Sequence, residues 1–172
     1  MNKFVKAAVA ASLLVAGVAA NAATATANFN VTASVPALCT VTAASLAFGN
    51  YTPNGGNVDA QATNSIAVRC TKGTAYTVGL NAGLAPGATV TNRRMRSTAT
   101  PANELAYSLY TTAGRTTNWG DTAPNGAPTG TSTGFATAVN FTVFGRIPDT
   151  ATNQDAAAAT DYTDTITVTV TY

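Results

Sequence analysis

Residues 23–35 of the chain are ATATANFNVTASV, and residues 164–172 are DTITVTVTY. In the first stretch every odd position is apolar and every even position is polar. In the second, Ile166, Val168 and Val170 alternate with threonines. Successive side chains of a β-strand point to opposite faces, so this period of two predicts a strand with one face to bury. The most regular segments of the chain therefore predict β-structure near both of its ends.

Shorter runs between these segments are also typical of strands. After the first 22 residues no segment repeats apolar residues with a helical period over three turns, and turn-forming residues such as those of PNGG at 53–56 separate the runs. The alanine run at 156–159 is interpreted as a loop or a short helical turn. Eight strands without crossover helices predict an all-β fold, an antiparallel immunoglobulin-like sandwich of two sheets. The six inner strands are predicted at residues 38–48, 65–70, 75–82, 93–97, 105–111 and 136–147.

The first 22 residues have the three parts of a secretory signal. Lys3 and Lys6 precede an uncharged stretch of about 14 residues, which ends at the small-residue triplet ANA at 20–22. This stretch is shorter than the roughly 20 residues that a membrane-spanning helix needs. We therefore predict a signal peptide over residues 1–22, cleaved between Ala22 and Ala23, and an exported mature chain of one domain. Without the leader the chain carries seven basic and seven acidic residues, which argues against a nucleic-acid partner.

Cys39 and Cys70 are the two cysteines of the chain. In an exported protein the oxidising compartment favours a disulfide between them. The alternative, a catalytic or metal-binding thiolate pair, needs further ligands or a base, and the sequence contains no histidine. Glu104 is the sole glutamate, so the usual general bases and activated nucleophiles are missing. We expect a protein that is not an enzyme and that has no metal site and no cofactor.

The N-terminal strand is long enough to leave its own domain. Thirteen residues span roughly 44 Å at about 3.4 Å per residue, whereas the usual strand has about five or six residues. Pro36 then interrupts the ladder, because proline has no amide donor and a fixed φ. The alternative is that residues 23–35 form the first strand of their own sandwich, folded back within one chain.

A series of motifs resembles a known family, the spore coat protein U domain, which includes subunits of archaic, Csu-type chaperone-usher pili. Their order along the whole mature chain makes the resemblance specific. The motifs are CTV at 39–41, LAFGNY at 46–51, IAVRCTKGTAY at 66–76, RRM at 93–95, LAYSLY at 105–110, WGD at 119–121, FGRIP at 144–148, YTD at 162–164 and TVTY at 169–172.

The resemblance implies an incomplete sandwich that is completed by a donor strand from another subunit. Residues 37–172 would form the pilin domain, and residues 23–36 would be the donor strand and its hinge. A periplasmic chaperone would fill the hydrophobic cleft first, and the next subunit would fill it afterwards at an outer-membrane usher. The pocket-filling donor positions would be Phe29, Val31, Ala33 and Val35, and Ala23, Ala25 and Ala27 would be weaker extensions of the donor strand. The acceptor cleft would be lined by Ile166, Val168 and Val170.

The function that this resemblance implies is a structural pilus subunit, which passes through the periplasm to the cell surface and supports adhesion and biofilm formation. Its partners would be other copies of itself or related pilins, the chaperone and the usher. One alternative is a secreted spore-coat or extracellular matrix protein that self-associates without an usher. Another is a sugar-binding module, which would need a concave aromatic platform.

Three further groups of residues have both a functional and a structural interpretation. Arg93, Arg94 and Arg96 could bind anions, but a solvated strand edge paired with acidic loops is favoured. Trp119, with Tyr107 and Tyr110 upstream, could stack on sugars, but packing over one end of the sandwich is favoured. Surface turns and strand starts explain four C-terminal carboxylates better than a glycosidase pair or a calcium site. These carboxylates are Asp149, Asp155, Asp161 and Asp164.

Overall fold

The computed structural model describes residues 22–172, with the backbone alone for residues 60–65. The chain divides into two units, residues 1–34 and 35–172. The second unit is the predicted all-β antiparallel sandwich, and among the described residues no helix is long and apolar enough to cross a bilayer. Its elements are β1 (Cys39–Ala43), β2 (Val58–Cys70), β3 (Ala75–Leu80), β4 (Arg93–Ser97), β5 (Glu104–Tyr110), a 3₁₀ turn (Ala123–Asn125), β6 (Thr129–Thr131), β7 (Val139–Ile147), α1 (Ala151–Gln154), β8 (Tyr162–Thr163) and β9 (Val168–Thr171).

The two sheets of the sandwich differ in width. Sheet 1 has the strand order β1-β2-β7-β5-β4-β8, and sheet 2 has the order β6-β3-β9. Alternating side chains build the core between them, as in β5, where Leu105, Tyr107 and Leu109 are buried and their neighbours are not. Because three strands face six, part of the inner face of sheet 1 beside β9 has no strand over it.

Several predicted boundaries differ from the observed ones. β2 begins at Val58 rather than at residue 65, because its first half, VDAQATN, is mostly polar and has no apolar stripe to mark it. β6 and β8 have three and two residues, which is too short for a period of two to be visible. A short helix is present, but at Ala151–Gln154, just before the alanine run.

The N-terminal segment forms no strand in the single chain. Residues 22–38 have no assigned secondary structure, and Phe29, Val31 and Val35 are 85%, 83% and 79% exposed. The prediction of a strand over residues 23–35 is therefore wrong for one chain by itself. The physical reason is that an extended segment becomes a strand only when a neighbouring strand pairs its backbone. The predicted leader, apart from Ala22, lies outside the described residues.

Cys39 and Cys70 form the predicted disulfide, which joins β1 to β2. The neighbouring pair is hydrogen-bonded, since the Thr71 N–H donates to the Leu38 carbonyl over 2.9 Å. The two cysteines consequently occupy a non-hydrogen-bonded position of the ladder, where paired residues are closest, and their Cα atoms are 4.1 Å apart. Closing a loop of this length stabilises the domain by about 3 to 4 kcal/mol in the chain-entropy model.

Two residues with possible surface roles lie in the interior. Trp119 is 1% exposed, and its indole N–H donates to the Val78 carbonyl over 2.8 Å, which confirms the packing interpretation and removes it as a sugar platform. Arg93 is fully buried, so its prediction as part of a solvated strand edge is wrong. Arg94 and Arg96 are half-exposed and pair with an acidic residue, since their guanidinium nitrogens lie 2.8 and 3.7 Å from Glu104 carboxylate oxygens. That residue begins β5 and does not lie in a loop, so the prediction is right for the charge pairing but wrong for its place.

The carboxylate of Asp161 holds the β4–β5 turn. It accepts hydrogen bonds from the Thr98 hydroxyl (2.6 Å), the Ala99 N–H (2.7 Å) and the Ser97 hydroxyl (3.1 Å). These bonds, the one from Thr98 first, lower the pKa of Asp161 from 3.8 to about 2. Because the folded-state pKa is depressed, the stabilisation is present above about pH 4 and is lost as the pH falls towards 2.

We therefore expect Asp161→Asn to lower the melting temperature of the mature chain at pH 7, and the difference from wild type to narrow between pH 4 and 2. Thermal unfolding followed by circular dichroism measures this. Between pH 5 and 8 the difference should stay constant. A difference that is the same at pH 2.5 and at pH 7 would show that the ionised carboxylate contributes nothing to the turn.

Candidate strand-acceptor groove

An open groove lies where sheet 2 fails to cover sheet 1. One wall is formed by residues 43–48, which continue from β1, and the other by residues 162–168, which lead from β8 into β9. Ile66, Tyr107, Leu109 and Val143 are part of its floor, and its volume is about 460 Å³. A second cavity of about 580 Å³ adjoins it and extends to Tyr51 and residues 156–160. The two cavities share Leu46, Phe48, Met95 and Tyr162 and are therefore adjacent, and together we call them the groove.

The β9 wall presents unpaired backbone groups to the groove. In β3 the N–H groups of Val78 and Leu80 donate to Pro128 and Gly120, away from β9, whereas the Asn81 N–H donates to the Thr167 carbonyl over 3.2 Å. Hydrogen bonds alternate along an antiparallel pair, so Thr167, Thr169 and Thr171 bond to β3. The N–H and C=O groups of Ile166 and Val168 therefore point to the open edge.

The opposite wall has unpaired backbone as well. Within the described part of the chain, residues 44–50 make no backbone hydrogen bond to another strand. Ala43 alternates with the bonded Thr42, which leaves its N–H and C=O directed away from β2. Exposed sheet edges of this kind favour pairing with an added strand. The groove thus has unpaired backbone N–H and C=O groups on both walls and an apolar floor.

The structure places two of the three predicted acceptor residues in this groove. Ile166 and Val168 line it and are half-buried, with threonines at 167 and 169 facing solvent. Val170 lies on the same half-buried face but does not line the groove. Cα atoms of β1 and β9 approach within 8 Å. A strand inserted between two others needs them to be about 9.6 Å apart, which is twice the spacing of neighbouring strands. β1 and β9 are closer than this, so the groove closes towards the end of the sandwich that carries the disulfide.

The lining residues that sequence reasoning missed come from many segments. Leu46 and Phe48 alternate with small residues, and that period of two could have marked them as wall residues. Met95 and Tyr162 come from sheet 1 strands that are distant in sequence, β4 and β8, and nothing local indicates that they meet. Their proximity results from β8 pairing with β4 before the chain crosses to sheet 2.

Asp164 fixes the wall where the chain crosses between the sheets. Its carboxylate accepts hydrogen bonds from the Tyr107 hydroxyl (2.6 Å), the Leu84 N–H (2.8 Å) and the Thr165 N–H (2.8 Å). Burial, and then the bond to Asp164, raises the pKa of Tyr107. Gly83 has φ of +87°, and a Cβ there would collide with the carboxylate, so only glycine fits beside it. The cluster joins β5, the β3–β4 loop and the groove wall.

Asp149 and Asp161 also have separate structural partners, whereas Asp155 is exposed just before the alanine run. Asp149 accepts from the Tyr51 hydroxyl (2.7 Å) and the Gly56 N–H (2.9 Å), and burial together with that bond raises the pKa of Tyr51 to about 12. Asp161 holds the β4–β5 turn, and Asp164 the sheet crossing. Among residues 22–172 no group of three His, Cys, Asp or Glu side chains is placed to hold a metal ion. What the groove offers a ligand is backbone pairing and apolar contact.

Known proteins share both the sequence and the fold. The Spore Coat Protein U domain model matches residues 25–169. Protein U of Myxococcus xanthus is 37% identical over 180 residues, which cover 98% of this chain and 96% of that protein.

One solved structure with a similar fold is that of the CsuC–CsuE chaperone–tip adhesion subunit pre-assembly complex, from archaic chaperone-usher Csu pili of Acinetobacter baumannii. The similarity has a TM-score of 0.55 and 25% sequence identity, and it covers 81% of this chain. The chain spans about two fifths (41%) of the length of the chain it matches. The chain belongs to the Spore Coat Protein U domain family, and its fold is similar to that of a chain in this pilus complex.

Proposed function

We propose that this protein is a structural subunit of a surface pilus and that residues 23–35 of one copy occupy the groove of another. The observation that carries the proposal is the open groove beside β9, with unpaired backbone on both walls and an apolar floor. A strand placed there would become the fourth strand of sheet 2 and would cover the uncovered face of sheet 1.

The alternation of apolar and polar residues over 23–35 suits a strand that lies in this groove. A strand paired with β9 has directly opposite residues pointing to the same face. Ile166 and Val168 have their side chains pointing inward and their unpaired backbone groups pointing to the groove. Phe29, Val31, Ala33 and Val35 can therefore point inward and pair with β9, while Asn28, Asn30 and Thr32 face solvent. Burying Phe29, Val31 and Val35 contributes roughly 1.5 to 3 kcal/mol each before ordering costs.

The donation is asymmetric, because one copy gives a strand and the next receives it. Such a heterologous contact does not close on itself and propagates into a fibre. An unfilled groove exposes apolar side chains and strand edges, so the subunit needs a periplasmic chaperone before assembly. The fold similarity to a chain of a chaperone–subunit complex supports that partner. An outer-membrane usher would then assemble the fibre at the cell surface, where it would serve adhesion and biofilm formation.

The second candidate is a secreted coat or matrix protein that self-associates through the same groove without an usher. Its support is the near full-length similarity to Protein U of Myxococcus xanthus. Genes for a chaperone and an usher beside this one would favour the pilus, and their absence would favour the coat.

Deletion of residues 23–35 tests strand donation directly. We expect the full mature chain to form polymers, and the truncated chain to stay unpolymerised and to bind a synthetic peptide of residues 23–35. Size-exclusion chromatography and peptide fluorescence anisotropy measure the two effects. The control is the same peptide with Phe29→Asp and Val31→Asp, which should not bind. If the full and truncated chains are equally soluble, stable monomers, strand donation is wrong.

A further inference from the structure

Exposed apolar side chains of the sandwich gather at one end. Of the five large ones outside residues 23–35, Leu38, Phe135 and Tyr172 lie at the end that carries the disulfide, and Leu84 lies elsewhere. Val41 lies further along β1, on the face opposite to Leu38. Leu38 pairs with Thr71, and the Phe135 carbonyl accepts from Arg69 Nη1, so both lie beside the β2 end. Tyr172 follows the last residue of β9. We call the three residues at this end the disulfide-end patch: Leu38 (51% exposed), Phe135 (42%) and Tyr172 (56%).

The groove opens at the opposite end of the sandwich. It closes towards the disulfide, where β1 and β9 are too close for a strand to pass between them. At its other end Tyr51, Pro53 and residues 156–160 line it, and we call these residues the groove mouth. Residues 157–159 are exposed alanines, which give the mouth a small apolar rim. A donor strand would therefore have to leave the groove at the mouth, with its C-terminal residue Val35 last.

The connection between donor strand and sandwich is short. Leu38 is held in place, because its N–H donates to the Thr71 hydroxyl and its carbonyl accepts from the Thr71 N–H. Only Pro36 and Ala37 lie between Val35 and Leu38, a step that spans at most about 10 Å. A copy whose Val35 lies in a neighbour's groove thus brings its own disulfide end to the neighbour's groove mouth.

We propose that the disulfide-end patch of the donating copy docks on the groove mouth of the receiving copy, as a second contact between subunits. This inference rests on the proposed strand donation. The charges agree with it: Lys72 lies at the disulfide end and Asp155 lies beside the mouth, and within the described residues neither side chain forms an ion pair. The contact limits how the two sandwiches rotate about the Pro36 hinge, and it buries apolar surface that a single copy exposes.

A photocrosslinking amino acid at position 135 tests the contact in assembled polymers of the full mature chain. We expect crosslinks to residues 49–56 or 156–160 of a second copy, identified by mass spectrometry. The control position is Leu84, the exposed large apolar residue that lies outside the patch, and it should give no such crosslink. Crosslinks from position 135 to another surface, to a different protein or to no second copy would overturn the proposal.

Charge reversal is an independent test. Lys72→Asp or Asp155→Lys should each weaken the junction several-fold, and the double variant should recover most of the loss. The rate at which subunits dissociate from polymers in mild denaturant measures this. Equal effects of the single and double variants would contradict the pairing. If polymers form but position 135 does not crosslink, only the docking contact is wrong; if the wild type forms no polymers, strand donation itself fails, and the docking contact with it.

Discussion

Replacing Phe29 and Val31 together with aspartate is expected to abolish fibres while leaving the chain exported and folded. Both side chains are more than four-fifths exposed in the single chain, so the sandwich itself loses nothing by the change. In the groove, however, each substitution removes roughly 1.5 to 3 kcal/mol of apolar burial. It also places an unpaired carboxylate against Ile66, Leu109 and Val143, which costs several kcal/mol more per charge. The combined loss exceeds what the remaining backbone pairing can offset.

The matched control is Asn28→Asp with Asn30→Asp. It adds the same two charges to the same segment, but on the face that would point to solvent, so fibres should persist. Electron microscopy of cells and unboiled gel electrophoresis of sheared polymers give the comparison. Normal fibres from the Phe29 and Val31 variant would sink the proposed donor role. Loss of fibres in both variants would show that charge, rather than the apolar face, decides the outcome.

Arg93→Met is expected to lower the free energy of unfolding by about 3 to 5 kcal/mol, the second large effect. The guanidinium of Arg93 is fully buried and donates to four main-chain carbonyls. The acceptors are Asn81 (2.9 Å), Val90 (2.6 Å), Leu80 (3.1 Å) and Trp119 (2.7 Å). Methionine fills part of the volume but donates no hydrogen bond, so these carbonyls are left without their donor. The tie between β4 of sheet 1 and the end of β3 in sheet 2 is lost with them.

Urea unfolding measured by the fluorescence of Trp119, which is buried and the sole tryptophan, reports this loss. The Phe29→Asp, Val31→Asp background keeps the chain unpolymerised during the measurement. Arg96→Met is the control, since Arg96 lies at the surface and its ion pair with Glu104 contributes about 1 kcal/mol or less. If the free energy of unfolding of Arg93→Met is as close to wild type as that of Arg96→Met, Arg93 does not hold the two sheets together.

The polar residues show where sequence reasoning ran out. Arg93, Arg94 and Arg96 are indistinguishable as one basic cluster, yet the structure buries the first and pairs the other two with Glu104. Side chains at odd and even positions of a strand point to opposite faces, so Arg94 and Arg96 lie on one face of β4 and Arg93 lies on the other. The pattern could separate the two faces. The one apolar residue of β4, Met95, lies on the same face as Arg93 and marks that face as the inner one, although the basic cluster as a whole suggested a solvated edge.

Local pattern was enough to predict the all-β class, most strands and the disulfide. The signals for these features are short: period-two alternation, turn residues, and cysteines in an exported chain. Local pattern also marked the apolar faces of residues 23–35 and of the C-terminal strand, whereas the family resemblance implied that Ile166 and Val168 line a cleft. Only the tertiary structure decided that sheet 2 stops at β9, that Val170 lies outside the groove and that Met95 and Tyr162 line it. The missing strand is a property of how nine strands are shared between two sheets. That division depends on pairings between residues far apart in the chain, such as β8 with β4, and no local pattern records them.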